Sequence, residues 1–191
     1  MATVDKMMPF VIMFESGVVP AKGESTEALW QRARKSGFAN DKDDAGGATM
    51  VGVTIGTYAQ YRRLRGLPSP SVNQLRAMTY GEWRDILKTM YWDRWRADRI
   101  VSQGIAEMLV DWVWASGKYG IMIPQKVLGV AADGVVGQRT LAAVNEADET
   151  VLFARLRAER VAYVERICVS RPANKKFRNG WLRRINAIKL K

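Results

Sequence analysis

The chain has 191 residues, 48% of them hydrophobic, which suits one compact domain or a domain with a small appendage and excludes a disordered chain. It has no histidine and a single cysteine, Cys168, which excludes a Ser-His-Asp triad, a Cys-His protease, an H-E-x-x-H site, a Cys/His zinc site and an internal disulfide. The net charge of +11 is concentrated in residues 151–191, where twelve Lys or Arg face two acids for a net of +10; the first 150 residues hold eighteen bases and seventeen acids. A basic C-terminal region calls for an anionic partner surface, and charge alone does not separate nucleic acid, anionic lipid and anionic cell wall.

In chain order the pattern is mostly helical. Met7, Met8, Val11, Met13 and Phe14 recur at helical spacing, and Gly17 stops that helix. Ser25 caps a second helix through Ala28, Leu29 and Trp30, ending near Gly37. Residues 39–56 carry four glycines and a cluster of Asp and Asn, and Val51, Val53 and Ile55 alternate as in a short strand. This stretch, near residues 40–56, is expected to be a loop or small hairpin and the single β element. Helices resume at Thr57, at Ser71 and at Thr79, where Thr79-Tyr80-Gly81-Glu82 is a capping box ahead of Trp83, Ile86, Leu87, Met90 and Tyr91.

Ser102 precedes a helix apolar almost all round, with Ile105, Met108, Leu109, Val110, Trp112, Val113 and Trp114, which predicts a central buried helix broken by Gly117 and Gly120. Ile123, Val127 and Leu128 mark the next. A turn at Asp133-Gly134 leads into Leu141 and Val144, Asp148 caps a long helix over about 150–169, and Pro172 ends it. Cys168 falls in its apolar stripe and reads as a buried thiol. A last basic amphipathic helix carries Phe177, Trp181, Leu182, Ile185 and Ile188. No run reaches the roughly 18 apolar residues of a membrane span. Asp5 and Lys6 precede a short apolar run with no small-residue cleavage site after it, so no signal peptide is read and synthesis in the cytoplasm is expected.

With histidine absent, hydrolytic chemistry must rest on carboxylates. Glu15 closes an otherwise apolar helix, where it is either a solvated helix end or an acid held in a partly dry site. Burial disfavours the charged carboxylate, which is how a Glu becomes a general acid near neutral pH. The Gly-rich loop that follows offers Asp41, Asp43 and Asp44, with Thr49 and Thr54 nearby. A helix-end Glu with such a loop is the arrangement glycoside hydrolysis needs: one acid protonates the leaving oxygen, and a second carboxylate or a held water works on the other face of the sugar.

Phe14-Glu15-Ser16-Gly17, followed by Asn40-Asp41-Lys42-Asp43-Asp44-Ala45-Gly46-Gly47-Ala48-Thr49 and then Gly52-Val53-Thr54, resembles the glycoside hydrolase family 108 lysozymes. Their signature runs E-G-G, then N-D-x-x-D-P-G-G-A-T-x-x-G-[IV]-T. Tyr91-Trp92-Asp93, the stretch Asp111-Trp112-Val113-Trp114-Ala115-Ser116-Gly117, and Asp133-Gly134 through Gly137 to Thr140-Leu141 resemble later parts of the same family, the last its C-terminal peptidoglycan-binding segment. Ser16 replaces the first Gly of E-G-G, Ala45 replaces the usual Pro, and residues 18–39 look like an insertion.

The resemblance implies a mostly α, lysozyme-like N-acetylmuramidase, of phage or prophage endolysin type. Residues 1–100 would form the catalytic part and 101–191 a helical peptidoglycan-binding part packed against it. Glu15 would be the general acid, with Asp44, Thr49 and Thr54 in support, and Tyr91, Trp92, Asp111, Ser116 and Asp133 as substrate-binding residues. Thr49 and Thr54 have a plainer reading as backbone partners in the turn, and Asp111 as half of a buried salt bridge. The expected partner is bacterial peptidoglycan, with no metal or organic cofactor, no nucleic acid, no membrane span and a monomeric state. Action at the wall would then need an export route such as a holin-type pore. Two rivals follow from the same residues: a non-catalytic cell-wall-binding or secretion-assisting protein of this fold, and a nucleic-acid binder.

Overall fold

The computed structural model describes residues 1–40 and 47–190. They form ten α-helices and a three-stranded antiparallel sheet, in two compact units: Val4–Met90, and Met1–Thr3 together with Tyr91–Lys191.

In the unit Val4–Met90, α1 (Val4–Ser16) buries Met7, Met8, Val11 and Ile12. Ser25 caps α2 (Thr26–Ala33), its Oγ accepting the Ala28 N–H, and the helix turns Leu29, Trp30 and Ala33 inward. The Trp30 ring lies 5.2 Å from that of Trp83 on α5 (Tyr80–Leu87). The segment read as an insertion thus supplies a large part of this unit's core. Strands β1 (Phe38–Ala39), β2 (Thr49–Met50) and β3 (Val53–Thr54) pair in order, with Ala39 opposite Thr49 and Met50 opposite Val53.

The small hairpin is therefore present, but Val51 and Ile55 are not strand residues. Val51 and Gly52 make the two-residue turn between β2 and β3, and Ile55 opens α3 (Ile55–Arg63). The cap of α3 is Thr54 rather than Thr57: Thr54 Oγ1 accepts the Thr57 N–H at 3.1 Å. The capping box at Thr79 is formed as read, and Ser71 makes a second one with Gln74 ahead of α4 (Val72–Arg76).

The helix after Thr79 ends at Leu87, short of Tyr91. It passes into a π-turn at Lys88–Trp92 and two 3-10 turns at Asp93–Trp95 and Ala97–Arg99. Buried indoles explain the departure from the helical pattern. Trp92 donates to Asp98 at 2.7 Å and Trp95 to the Gly120 carbonyl at 3.1 Å, so both buried N–H groups are satisfied.

The second unit is built on α6 (Gln103–Ser116), buried at every residue from Gln103 to Val113. Ser102 caps it, and the N-terminal residues join it: Gln103 accepts the Thr3 N–H at 2.8 Å and donates to the Thr3 carbonyl at 3.0 Å. Helix α7 (Tyr119–Val127) folds straight back along α6. A Cβ on Gly120 would lie 2.4 Å from the Trp112 carbonyl carbon, so only glycine permits that approach. After α8 (Gln138–Glu146), the long α9 (Glu149–Ser170), capped by Asp148, and α10 (Arg178–Ala187) pack on the same core. Cys168 is buried, as the stripe implied.

Candidate active site

Glu15 lies in the last turn of α1, half-buried. The turn is closed with Ser16 where the resembling motif has its first glycine. Ser16 Oγ donates to the Ile12 carbonyl at 2.7 Å and accepts the Val18 N–H at 3.2 Å, while the Gly17 N–H reaches Met13 O at 2.8 Å. The serine at this position therefore braces the helix end that carries the acid.

The Glu15 carboxylate rests directly on the β2–β3 turn. A Cβ built on Gly52 would sit 2.6 Å from both the carboxyl carbon and Oε2. Gly52 has φ +77 and its neighbour Val51 φ +42, so both central residues of the turn are at positive φ, as in a type I′ turn. A β-branched residue there is strained. Three contacts hold it: the Val51 N–H donates to Gly37 O at 2.7 Å, its carbonyl accepts from Trp83 Nε1 at 3.0 Å, and its fully buried side chain packs over Gly37. Packing around Val51 thus fixes Gly52, and Gly52 leaves room for the acid.

The other expected residues of this unit have local partners. Thr49 Oγ1 donates to Gly47 O at 3.3 Å, and Thr54 caps α3 while donating to Thr57 Oγ1 at 3.1 Å. Both hydroxyls belong to the hairpin that carries Gly52. Asp44, with Asp41 and Asp43, lies outside the described residues. Several described carboxylates of the unit are engaged elsewhere. Glu82 accepts from Thr79 N and Tyr58 OH, Asp85 from Tyr61 OH and Arg65, Glu24 from Arg32, and Asp5 from Arg84. Burial and the bond to Asp85 push the Tyr61 phenol up to about 12.

In the second unit, Tyr91 and Trp114 are half-buried with ring centroids 4.6 Å apart, an aromatic pair with part of its surface in solvent. Trp92 is fully buried. Asp111 is fully buried and takes both Arg160, at 2.7 Å, and Arg184, at 2.7 Å, tying α6 to α9 and α10. Burial alone would raise its carboxyl, but the charges of Arg184 and Arg160 outweigh that and hold it below the usual range. Ser116 sits at the C-terminal end of α6, half-buried.

Asp133 organises its own turn: Oδ1 accepts the Val135 N–H at 2.8 Å and the Gln125 side chain at 2.9 Å, and these bonds lower its carboxyl. Gln125 went unremarked in the sequence. It is fully buried, accepts the Gly134 N–H at 2.9 Å and donates to Val135 O at 3.0 Å. The one signal was its position, a polar residue on an otherwise apolar face of α7. Among the described residues, no group of three or more His, Cys, Asp or Glu is placed to hold a metal ion, and no helix is long and apolar enough to cross a membrane.

Comparison with known proteins adds two family matches and a structural one. Residues 30–117 match the family model described as glycosyl hydrolase 108, and residues 119–186 match the one described as predicted peptidoglycan domain. The first match begins at Trp30, inside the segment read as an insertion, and leaves Glu15 outside its span. A solved structure titled "Structure of Brucella abortus SagA" is similar with a TM-score of 0.69 and 28% identity, over 88% of this chain and 92% of that one. No curated protein matches the chain.

Proposed function

We propose that this chain, whose residues 30–117 match the glycosyl hydrolase 108 model and residues 119–186 the predicted peptidoglycan domain model, is a glycoside hydrolase of bacterial peptidoglycan. The bond cleaved is the β-1,4 link between N-acetylmuramic acid and N-acetylglucosamine, and Glu15 is the general acid. The observation that carries this reading is the Glu15 carboxylate seated on Gly52, with no room for a side chain between acid and turn.

The chemistry follows from that seat. The protonated Glu15 gives its proton to the glycosidic oxygen as the C–O bond breaks and the sugar ring takes up positive charge. A carboxylic acid fixed on a rigid turn delivers the proton along one line, and a bare glycine lets a sugar approach the backbone beside it. The opposite face needs a carboxylate or a held water, and the Asp41–Asp44 segment joining β1 to β2 carries the acids for it. In the second unit the exposed part of the Tyr91–Trp114 pair, its rings tilted by 49°, offers aromatic surface to a sugar ring. The basic region 151–191 complements a wall rich in carboxylates. Action is at the cell wall, reached by an export route of the holin type.

Glu15→Gln keeps the shape of the side chain and removes its acid. Wild type is expected to release reducing sugar ends from purified peptidoglycan, and the variant to release them about 10²–10⁴-fold more slowly with an unchanged circular dichroism spectrum. A folded Glu15→Gln variant as active as wild type would remove Glu15 from the mechanism. A wild type that binds the wall and releases no ends would be the non-catalytic binder of the same fold.

A further inference from the structure

In the second unit an open groove of about 690 Å³ lies between α7 and α9, within the roughly 300–1,000 Å³ of small-molecule sites. Arg155, near the start of α9, donates to Val127 O at the end of α7 at 2.6 Å, and the Tyr163 ring lies 6.1 Å from that of Tyr119, so the two helices run antiparallel. The α9 wall is one stripe at helical spacing: Arg155, Ala158, Glu159, Ala162 and Arg166. From α7 come Ile123 and Val127, both half-buried, and the exposed Lys126. Ala158 and Ala162 carry only a methyl each, which leaves the stripe hollow between its two arginines. Every residue of the groove falls within 119–186, the span that matches the predicted peptidoglycan domain.

The groove is apolar along its middle and charged at its ends. Lys126 and Arg155 stand where α7 stops and α9 begins. Lys126 makes no ion pair among the described residues, and Arg155 donates to a neutral carbonyl, so neither charge is cancelled. One of the five guanidinium N–H donors of Arg155 is engaged there, and the others remain for a ligand. Arg166 marks the far end, about 16 Å along α9 at 1.5 Å per residue, and holds Glu159 at 2.7 Å. The order along α9 is thus cation, acid, cation. A nucleic-acid strand, with a phosphate about every 3.4 Å, would meet Glu159 midway, whereas a peptide with spaced carboxylates avoids it.

We propose that this groove binds the carboxylate-bearing stem peptide of peptidoglycan, with the peptide's terminal carboxylate between Lys126 and Arg155. Its small side chains lie over Val127, Ala158 and Ala162, where a larger residue on α9 would leave no room. An extended chain covers about 3.3–3.6 Å per residue, so about five residues span the distance from Arg155 to Arg166. Charge complementarity selects the occupant: the groove carries three cations against one acid, and the stem peptide carries the free carboxylates of the polymer. The proposal rests on the reading of this chain as a peptidoglycan enzyme for the source of the peptide, while the fit of the groove to a short anionic peptide stands without it.

The test titrates a synthetic stem pentapeptide, N-acetyl-L-Ala-γ-D-Glu-L-Lys-D-Ala-D-Ala, into full-length ¹⁵N-labelled Glu15→Gln protein and follows the backbone amide signals. Saturable shifts are expected along residues 123–127 and 155–166. The C-terminal amide of the same peptide should bind about two- to fivefold more weakly, and so should the free peptide to a protein that also carries Lys126→Gln, as for one exposed ion pair. Lys175→Gln removes the same charge outside the groove and should leave the affinity unchanged. Ala158→Trp fills the hollow and should abolish saturation while the remaining signals stay dispersed. No saturable shift at millimolar peptide, an equal loss in Lys126→Gln and Lys175→Gln, or a shift that survives Ala158→Trp overturns the proposal. Tighter binding of a short single-stranded DNA to the same signals overturns it too, in favour of nucleic acid. Release of reducing ends by wild type is measured separately. Hydrolysis without peptide binding sinks the groove alone, and peptide binding without hydrolysis leaves the groove standing and sinks the enzyme.

Discussion

Glu15 and Gly52 are 37 positions apart in the chain and in contact in the fold, and the acid's placement depends on the glycine. Gly52→Ala puts a methyl where the carboxylate now lies and forces an L side chain to φ +77. The backbone cost alone is about 1–2 kcal/mol, and displacing a catalytic group by an ångström costs roughly 10²-fold in rate. Gly52→Ala is therefore expected to lose about a hundredfold in reducing-end release with only a modest fall in melting temperature, measured side by side. Activity within a few-fold of wild type would mean that the acid does not depend on this seat. The acid itself was legible in the sequence, as a carboxylate ending an apolar helix. The seat was not, because nothing local announces a valine at positive φ. That geometry is imposed by Trp83, 32 residues away, and by Gly37.

Five helices start where their capping residues say they should. Ser25, Ser71, Thr79, Ser102 and Asp148 each accept a backbone N–H from the first turn, a purely local interaction that sequence can show. The apolar run from Ile105 to Val113 likewise became the buried α6. What sequence could not supply was the pairing between elements. An acid on that helix needed a cation, and which arginines answered, Arg160 on α9 and Arg184 on α10, is a matter of tertiary packing. Removing the acid takes from Arg160 and Arg184 the buried carboxylate that both of them bond. Asp111→Asn is expected to lose about 3–5 kcal/mol in urea unfolding at neutral pH. The pH dependence has a definite sign. The folded carboxyl is held below its ordinary value, so its stabilisation is present above the unfolded value of about 3.9 and is lost as pH falls through the depressed folded value. The gap between wild type and Asp111→Asn should accordingly be full at pH 6 and narrow in strong acid. An equal gap at all pH values would contradict an ionised Asp111.

At the scale of the whole molecule, the mostly helical, lysozyme-like fold class is the one the sequence implies, while the expected hairpin gains a third strand, β1, that lies before the stretch 40–56. The structural division falls at Met90 and Tyr91, and the boundary between the two family matches at residues 117 and 119. The difference arises because α6 begins inside the first family's match and forms the core of the second unit. Charge is equally uneven, +10 of the +11 lying in residues 151–191. Retention on purified sacculi is expected to fall several-fold as salt rises from about 0.01 M to 1 M, where the Debye length shrinks from roughly 30 Å to 3 Å. Retention unchanged across that range would assign wall binding to uncharged contacts alone. Tight, steeply salt-dependent binding to DNA in the same assay format would favour the nucleic-acid reading of the basic region.

The central claim is that a proton from Glu15 breaks one particular glycosidic bond of the wall. Mass spectrometry of peptidoglycan digested by wild type and by Glu15→Gln tests it most directly. The account predicts wild-type fragments ending in reducing N-acetylmuramic acid, and their near-absence with the variant. Fragments ending in reducing N-acetylglucosamine, or the same muramic-acid ends produced as fast by Glu15→Gln, would contradict it.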